Sequence, residues 1–140
     1  MRPHSVPPGS HGGNIDINLL TEGSALYLPV QADGALAYVG DPHFAQGDGE
    51  GALTAMEAFG ALVGPLVETT DYLVPTGMDE DLDEAVKACV RAAIALLQAR
   101  FSLDAAHAYA YLSAATDFNI SQVVDIVKGV HAKIRVADFD

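Results

Sequence analysis

The chain has 140 residues, half of them hydrophobic, which fits one packed domain and excludes a disordered chain. Seven Lys and Arg face nineteen Asp and Glu, a formal charge of −12, so neither a nucleic acid nor an anionic membrane is an expected partner. The single cysteine excludes an intrachain disulfide and fits a reducing compartment, with the cytoplasm as the expected location.

The first thirteen residues, MRPHSVPPGSHGG, lack the apolar core of a secretory leader. No run of about 18 apolar residues follows, so no membrane-spanning helix is expected. Residues 14–20 predict a strand, with Ile15, Ile17 and Leu19 alternating against polar neighbours. Thr21-Glu22-Gly23 is a turn, residues 24–30 a second strand, and Asp33-Gly34 marks the next turn. Residues 35–39 predict a third strand, which runs into GDPHFAQGDGE, residues 40–50. Gly60, Gly64 and Pro65 then argue against a long element, and residues 68–76 read as another strand.

Alanine and leucine dominate beyond Asp79. Asp79 or Asp81 caps a helix whose stripe is Leu82, Val86, Cys89, Val90, Ala93, Ile94 and Leu97, ending near Arg100. Ser102 is the expected cap of a second helix reaching about Ala115, with Leu103, Ala106, Tyr109, Ala110 and Leu112 on its apolar face. Residues 122–127 and 130–136 read as strands around a Lys128-Gly129 turn. The expected class is α+β, with strands in the first half and at the C-terminus and a two-helix layer at about 80–115.

Three clusters bear chemistry. Asn14 and Asp16 share a strand face in the extended reading and offer a carboxylate and an amide oxygen to a cation; a turn cap is the plainer account. Asp41 and His43 share a face in the same way. With Asp16 they would make three ligands and leave a position for water, the usual catalytic-zinc arrangement, against a solvent-facing turn. Gln46, Asp48 and Glu50 lie among glycines that let a backbone approach a ligand, and a glutamate there suits general-base work. The stretch is neither an EF-hand loop nor a P-loop. Cys89 falls on the helical stripe and reads as a buried thiol, and His107 as structural or exposed. His131 follows a turn and is either a site residue or a packed histidine.

Five blocks, HGGNID (11–16), GDPHFAQGDGE (40–50), DEDLDEAVKACVRAAIALL (79–97), YAYLSAATDFNISQVV (109–124) and KGVHA (128–132), together resemble the acetamidase/formamidase family in order and spacing. The resemblance covers most of the chain outside roughly 52–67. It implies hydrolysis of small linear amides, formamide or acetamide, to carboxylate and ammonia. It also implies a β-sandwich-like fold with an added helical layer, a homo-oligomer, and a divalent metal, zinc or calcium. By the same resemblance Asn14, Asp16, Asp41 and His43 form the metal or substrate shell. Asp48 and Glu50 become the acid–base groups, with His43 also catalytic, and Gln46 a positioning donor. The blocks correspond to the C-terminal part of members about twice this length, with a shortened segment after Glu50. The expectation is therefore a single domain, incomplete relative to the family. Its alternative role is a catalytically inactive binding or oligomerisation module.

Overall fold

Two alternating patterns in the second half of the chain organise the molecule, whose computed structural model describes residues 6–35, 40 and 64–139. In β3 (Tyr72–Asp79) and β5 (Lys128–Arg135), successive side chains point to opposite faces of a sheet. Leu73 and Ile134 go one way, into a cluster with Ala93, Leu97, Ala108 and Leu112; Val130 and Ala132 go the same way, against Ala85 and Cys89. The layer they meet is α1 (Leu82–Phe101) and α2 (Ala105–Ala115). Val74 goes the other way and packs with Ile15, Ile17, Leu26 and Val67. Strands β1 (Ala25–Tyr27), β2 (Leu66–Glu68) and β4 (Asp117–Gln122) complete an antiparallel five-stranded sheet in the order β1-β2-β3-β5-β4.

The helices begin where local chemistry starts them. Asp81 caps α1, its carboxylate accepting from the amides of Asp83 and Glu84, and those two acids lie at the positive end of the helix dipole. Gly77 lets α1 lie directly on β3: a Cβ there would stand 2.1 Å from the Cys89 nitrogen and 2.3 Å from the Ala85 oxygen. The end of the described chain is fastened to both helices. Phe139 stacks on Phe101 at 4.2 Å and meets Tyr111 edge-on, while the Tyr111 hydroxyl donates to Asp138.

The α+β class and the two-helix layer are as the sequence indicates, and so are the turns at 21–23 and 32–35. Gly23 and Gly34 take positive φ there, and the Ser24 and Ala35 amides close the turns. Several elements differ. Residues 14–20 form no strand; Ile15 and Ile17 are buried by an irregular segment that turns at Asn14, whose φ is 53°. The strand expected at 24–30 narrows to Ala25–Tyr27, ahead of Pro29. The single strand expected at 68–76 is a hairpin, β2 and β3, because the Thr69 hydroxyl accepts from the amides of Asp71 and Tyr72 and closes a turn. Ser102 does not cap the second helix. It ends α1 in the left-handed conformation, and Asp104 caps α2. The buried face of α2 is Ala108 and Leu112, while Ala106, Tyr109 and Ala110 are exposed. Val86 of the first stripe is likewise exposed, with Ala85 buried in its place. The last hairpin turns at 123–127, so Lys128 and Gly129 open β5 and β4 starts at Asp117. The third strand expected at 35–39 and the stretch 41–50 lie, but for Ala35, outside the described residues.

Candidate functional site

The polar side chains buried among the described residues are Asp16, Thr76, Ser121, Gln122 and His131. They gather on the sheet face turned away from the helices. Thr76 is two residues beyond Val74 and so shares its side of β3. His131 lies opposite Thr76 in β5, and Asn119 lies opposite His131 in β4, giving a polar row across three strands. Toward β2 the same face is apolar. Along β3 the change from Val74 to Thr76 marks where packing gives way to hydrogen bonding.

Thr76, Ser121, Gln122, Asp16 and His131 each make a side-chain contact, while the Asn119 Oδ1 and the His131 Nε2 of the same row are buried with no hydrogen-bond partner among the described residues. The Thr76 hydroxyl donates to the Pro65 carbonyl at 2.7 Å. The His131 Nδ1 is 3.2 Å from the Ser121 Oγ. β4 shifts register between Ile120 and Gln122, and this bulge turns Ser121 and Gln122 into the same interior. Gly129 lies beside them on β5: a Cβ there would meet the Gln122 Cβ and the Ser121 Oγ at 3.4 Å, an ordinary packing distance.

The N-terminal segment docks on this bulge. The Gln122 Nε2 donates to Asp16 Oδ2 and, at 3.2 Å, to Asp125 Oδ2. Its Oε1 accepts from the Val124 amide at 2.9 Å. Asn14 Nδ2 donates to the same Asp125 oxygen at 2.7 Å and to the Val6 carbonyl at 2.5 Å. Asn14 and Asp16 are thus brought together by the 121–125 turn, and it is the Asn14 nitrogen that makes these contacts. Asp41, His43, Gln46, Asp48 and Glu50 lie outside the described residues. No group of three or more His, Cys, Asp or Glu among the described residues is placed to hold a metal ion. Asp16 offers a carboxylate of the right chemistry for zinc or calcium, but the described residues alone form no cage.

The sequence reading did not single out Thr76, Asn119, Ser121, Gln122 or Asp125 for chemistry. One signal was present. DFNISQ alternates polar and apolar residues, and its Asn and Ser fall on one strand face. Cys89 is where the helical stripe puts it, buried against the Pro75 carbonyl, with its thiol pushed up to about 12 by burial. His107 is exposed and pairs with Asp104 at 2.6 Å.

Residues 3–64 match the model of the acetamidase/formamidase family. A formamidase of Methylophilus methylotrophus is 60% identical over 47 residues, 33% of this chain and 11% of that protein. The crystal structure of an acetamidase from Bacillus halodurans superposes with a TM-score of 0.83 at 28% identity, over 97% of this chain and 50% of the other. The acetamidase of Yersinia enterocolitica gives 0.85 at 28% identity, over 98% and 45%. The chain therefore spans about half the length of these solved relatives.

Proposed function

We propose that this chain, whose residues 3–64 match the acetamidase/formamidase family, hydrolyses small linear amides such as formamide or acetamide to carboxylate and ammonia. The observation that carries this reading is the position of Asp16. It belongs to the segment that matches the family, and it is buried against the polar face formed by β3, β5 and β4. In the proposed reaction, water adds to the carbonyl carbon while Glu50 takes its proton. Glu50 or Asp48 returns a proton to nitrogen as the C–N bond breaks, and ammonia leaves. Gln46 and His43 orient the substrate, and backbone N–H groups hold the developing oxyanion.

The reading extends to a divalent metal, zinc or calcium, with Asn14, Asp16, Asp41 and His43 as its shell. Such an ion would supply Lewis-acid polarisation of the carbonyl oxygen. Because the described residues form no complete ligand set, no step above depends on it. Homo-oligomerisation and a cytoplasmic location belong to the same proposal. Among the described residues, no helix is long and apolar enough to cross a membrane.

The test is ammonia release from formamide, acetamide and propionamide, with and without added Zn²⁺ or Ca²⁺. The expected result is release that Glu50→Gln abolishes; release no greater than that of the variant rejects the reading. The alternative is a binding or oligomerisation module without turnover. It predicts an oligomer by light scattering with no ammonia release under any of these conditions.

A further inference from the structure

Gln122 is held at both ends of its amide. The oxygen accepts from Val124 N, and the nitrogen donates to Asp16 and Asp125. The side chain has no rotamer left to explore without breaking one of these bonds, so the Asp16 oxygen it meets is fixed with it. The bonded residues are 106 positions apart in the sequence. The contact is therefore tertiary, and it fastens the Asp16 carboxylate to the bulge in β4. The bulge is itself supported from beneath. Ser121 is buried against His131, and His131 is buried in register with Thr76. Asn14 is fastened to the same turn through Asp125.

A sheet that needed only stability would fill this face with Val and Ile, as it does around Val74. A fully polar platform that ends on one carboxylate of the family-matched segment is what orientation of that carboxylate requires. We infer that Gln122 is a positioning residue for amide hydrolysis, acting through Asp16, with the Ser121–His131 pair holding the bulge that aims it. This rests on the amidase reading of the chain.

The experiment is a double-mutant cycle on kcat/KM for formamide, using Gln122→Leu, Asp16→Asn and the double variant of the full chain, with circular dichroism melts on each. Gln122→Leu leaves a side chain of similar size and removes both the donor to Asp16 and Asp125 and the acceptor of the Val124 amide. Loss of about 10–100-fold is expected, the worth of a lost hydrogen bond to a charged group. The double variant should be no worse than Asp16→Asn alone, because Gln122 has nothing left to orient. Multiplicative losses, an unimpaired Gln122→Leu or an unimpaired Asp16→Asn in an active wild type each overturn the positioning role while leaving the amidase reading intact. A wild type that releases no ammonia overturns both. Gln122→Asn, which keeps the amide but withdraws it by one methylene, serves the same cycle where Gln122→Leu does not fold.

Discussion

Cys89 and Gly77 face each other across the contact between α1 and β3, and each makes a measurable claim about single positions. Burial raises the Cys89 thiol from an ordinary 9.0 to about 12, so the folded protein keeps it protonated where the unfolded chain ionises. Above pH 9 the unfolded state binds fewer protons than the folded one. Stability therefore falls as pH rises, by at most about 1.4 kcal/mol per pH unit from this group, and levels off near the folded value. The contribution is whole below pH 9 and lost across 9 to 12. Tyr111 is raised to about 12 by burial and then by Asp138, and it adds to the same slope. Urea titrations from pH 8.5 to 10.5 should give a shallower decline for Cys89→Ala than for the wild type; equal slopes would place the thiol in contact with water. Gly77→Ala drives a methyl into the backbone of α1 and should cost on the order of 3 kcal/mol, measured in the same titrations at pH 7. A cost near zero would mean that α1 slides away from β3 freely.

At the scale of elements, α1 depends on its start. The Asp81 carboxylate satisfies two amides that otherwise lack partners, so Asp81→Ala should destabilise by about 1 kcal/mol while Asp81→Asn or Asp81→Ser loses less, by thermal melting. This cap and the stripe through Cys89, Ala93 and Leu97 could be read from the sequence because both signals are local and span five turns. The first half was less legible for a physical reason. Ile15 and Ile17 alternate as a strand would, but Asn14 adopts positive φ and the segment is tied to the 122–125 turn by side chains, not to a neighbouring strand by a ladder. Nothing within six residues of Asp16 announces Gln122. The Lys128-Gly129 pair has turn chemistry, yet both residues pair within the sheet, Gly129 opposite Gln122 of the bulged strand. Asn14 and Asp16 were found by the company they keep in the sequence, and the platform beneath them only by the fold.

For the whole molecule, charge is the dominant long-range term. Nineteen acidic residues oppose seven basic ones, and Asp79, Glu80, Asp81, Asp83 and Glu84 stand exposed within six positions of each other. The helix N-terminus offsets part of that cluster, and Lys87 pairs with Glu84 at 2.6 Å, its ammonium held above the ordinary lysine range first by that hydrogen bond. Such exposed pairs act over a few ångströms and contribute little. The unpaired excess acts over the width of the domain, and folding concentrates it. Raising NaCl from about 0.01 M to about 0.1 M shortens the screening length from about 30 Å to about 10 Å. Repulsion across the molecule then fades sooner than attraction within a pair at contact distance. The melting temperature at pH 7 should therefore rise with NaCl over this range. A falling one would mean that favourable short contacts, the acidic first turn of α1 among them, outweigh the net repulsion. Where the melting temperature rises with NaCl, Glu80→Lys should reduce that dependence, since it lowers the net charge at the densest acidic run of the sequence without touching the Asp81 cap.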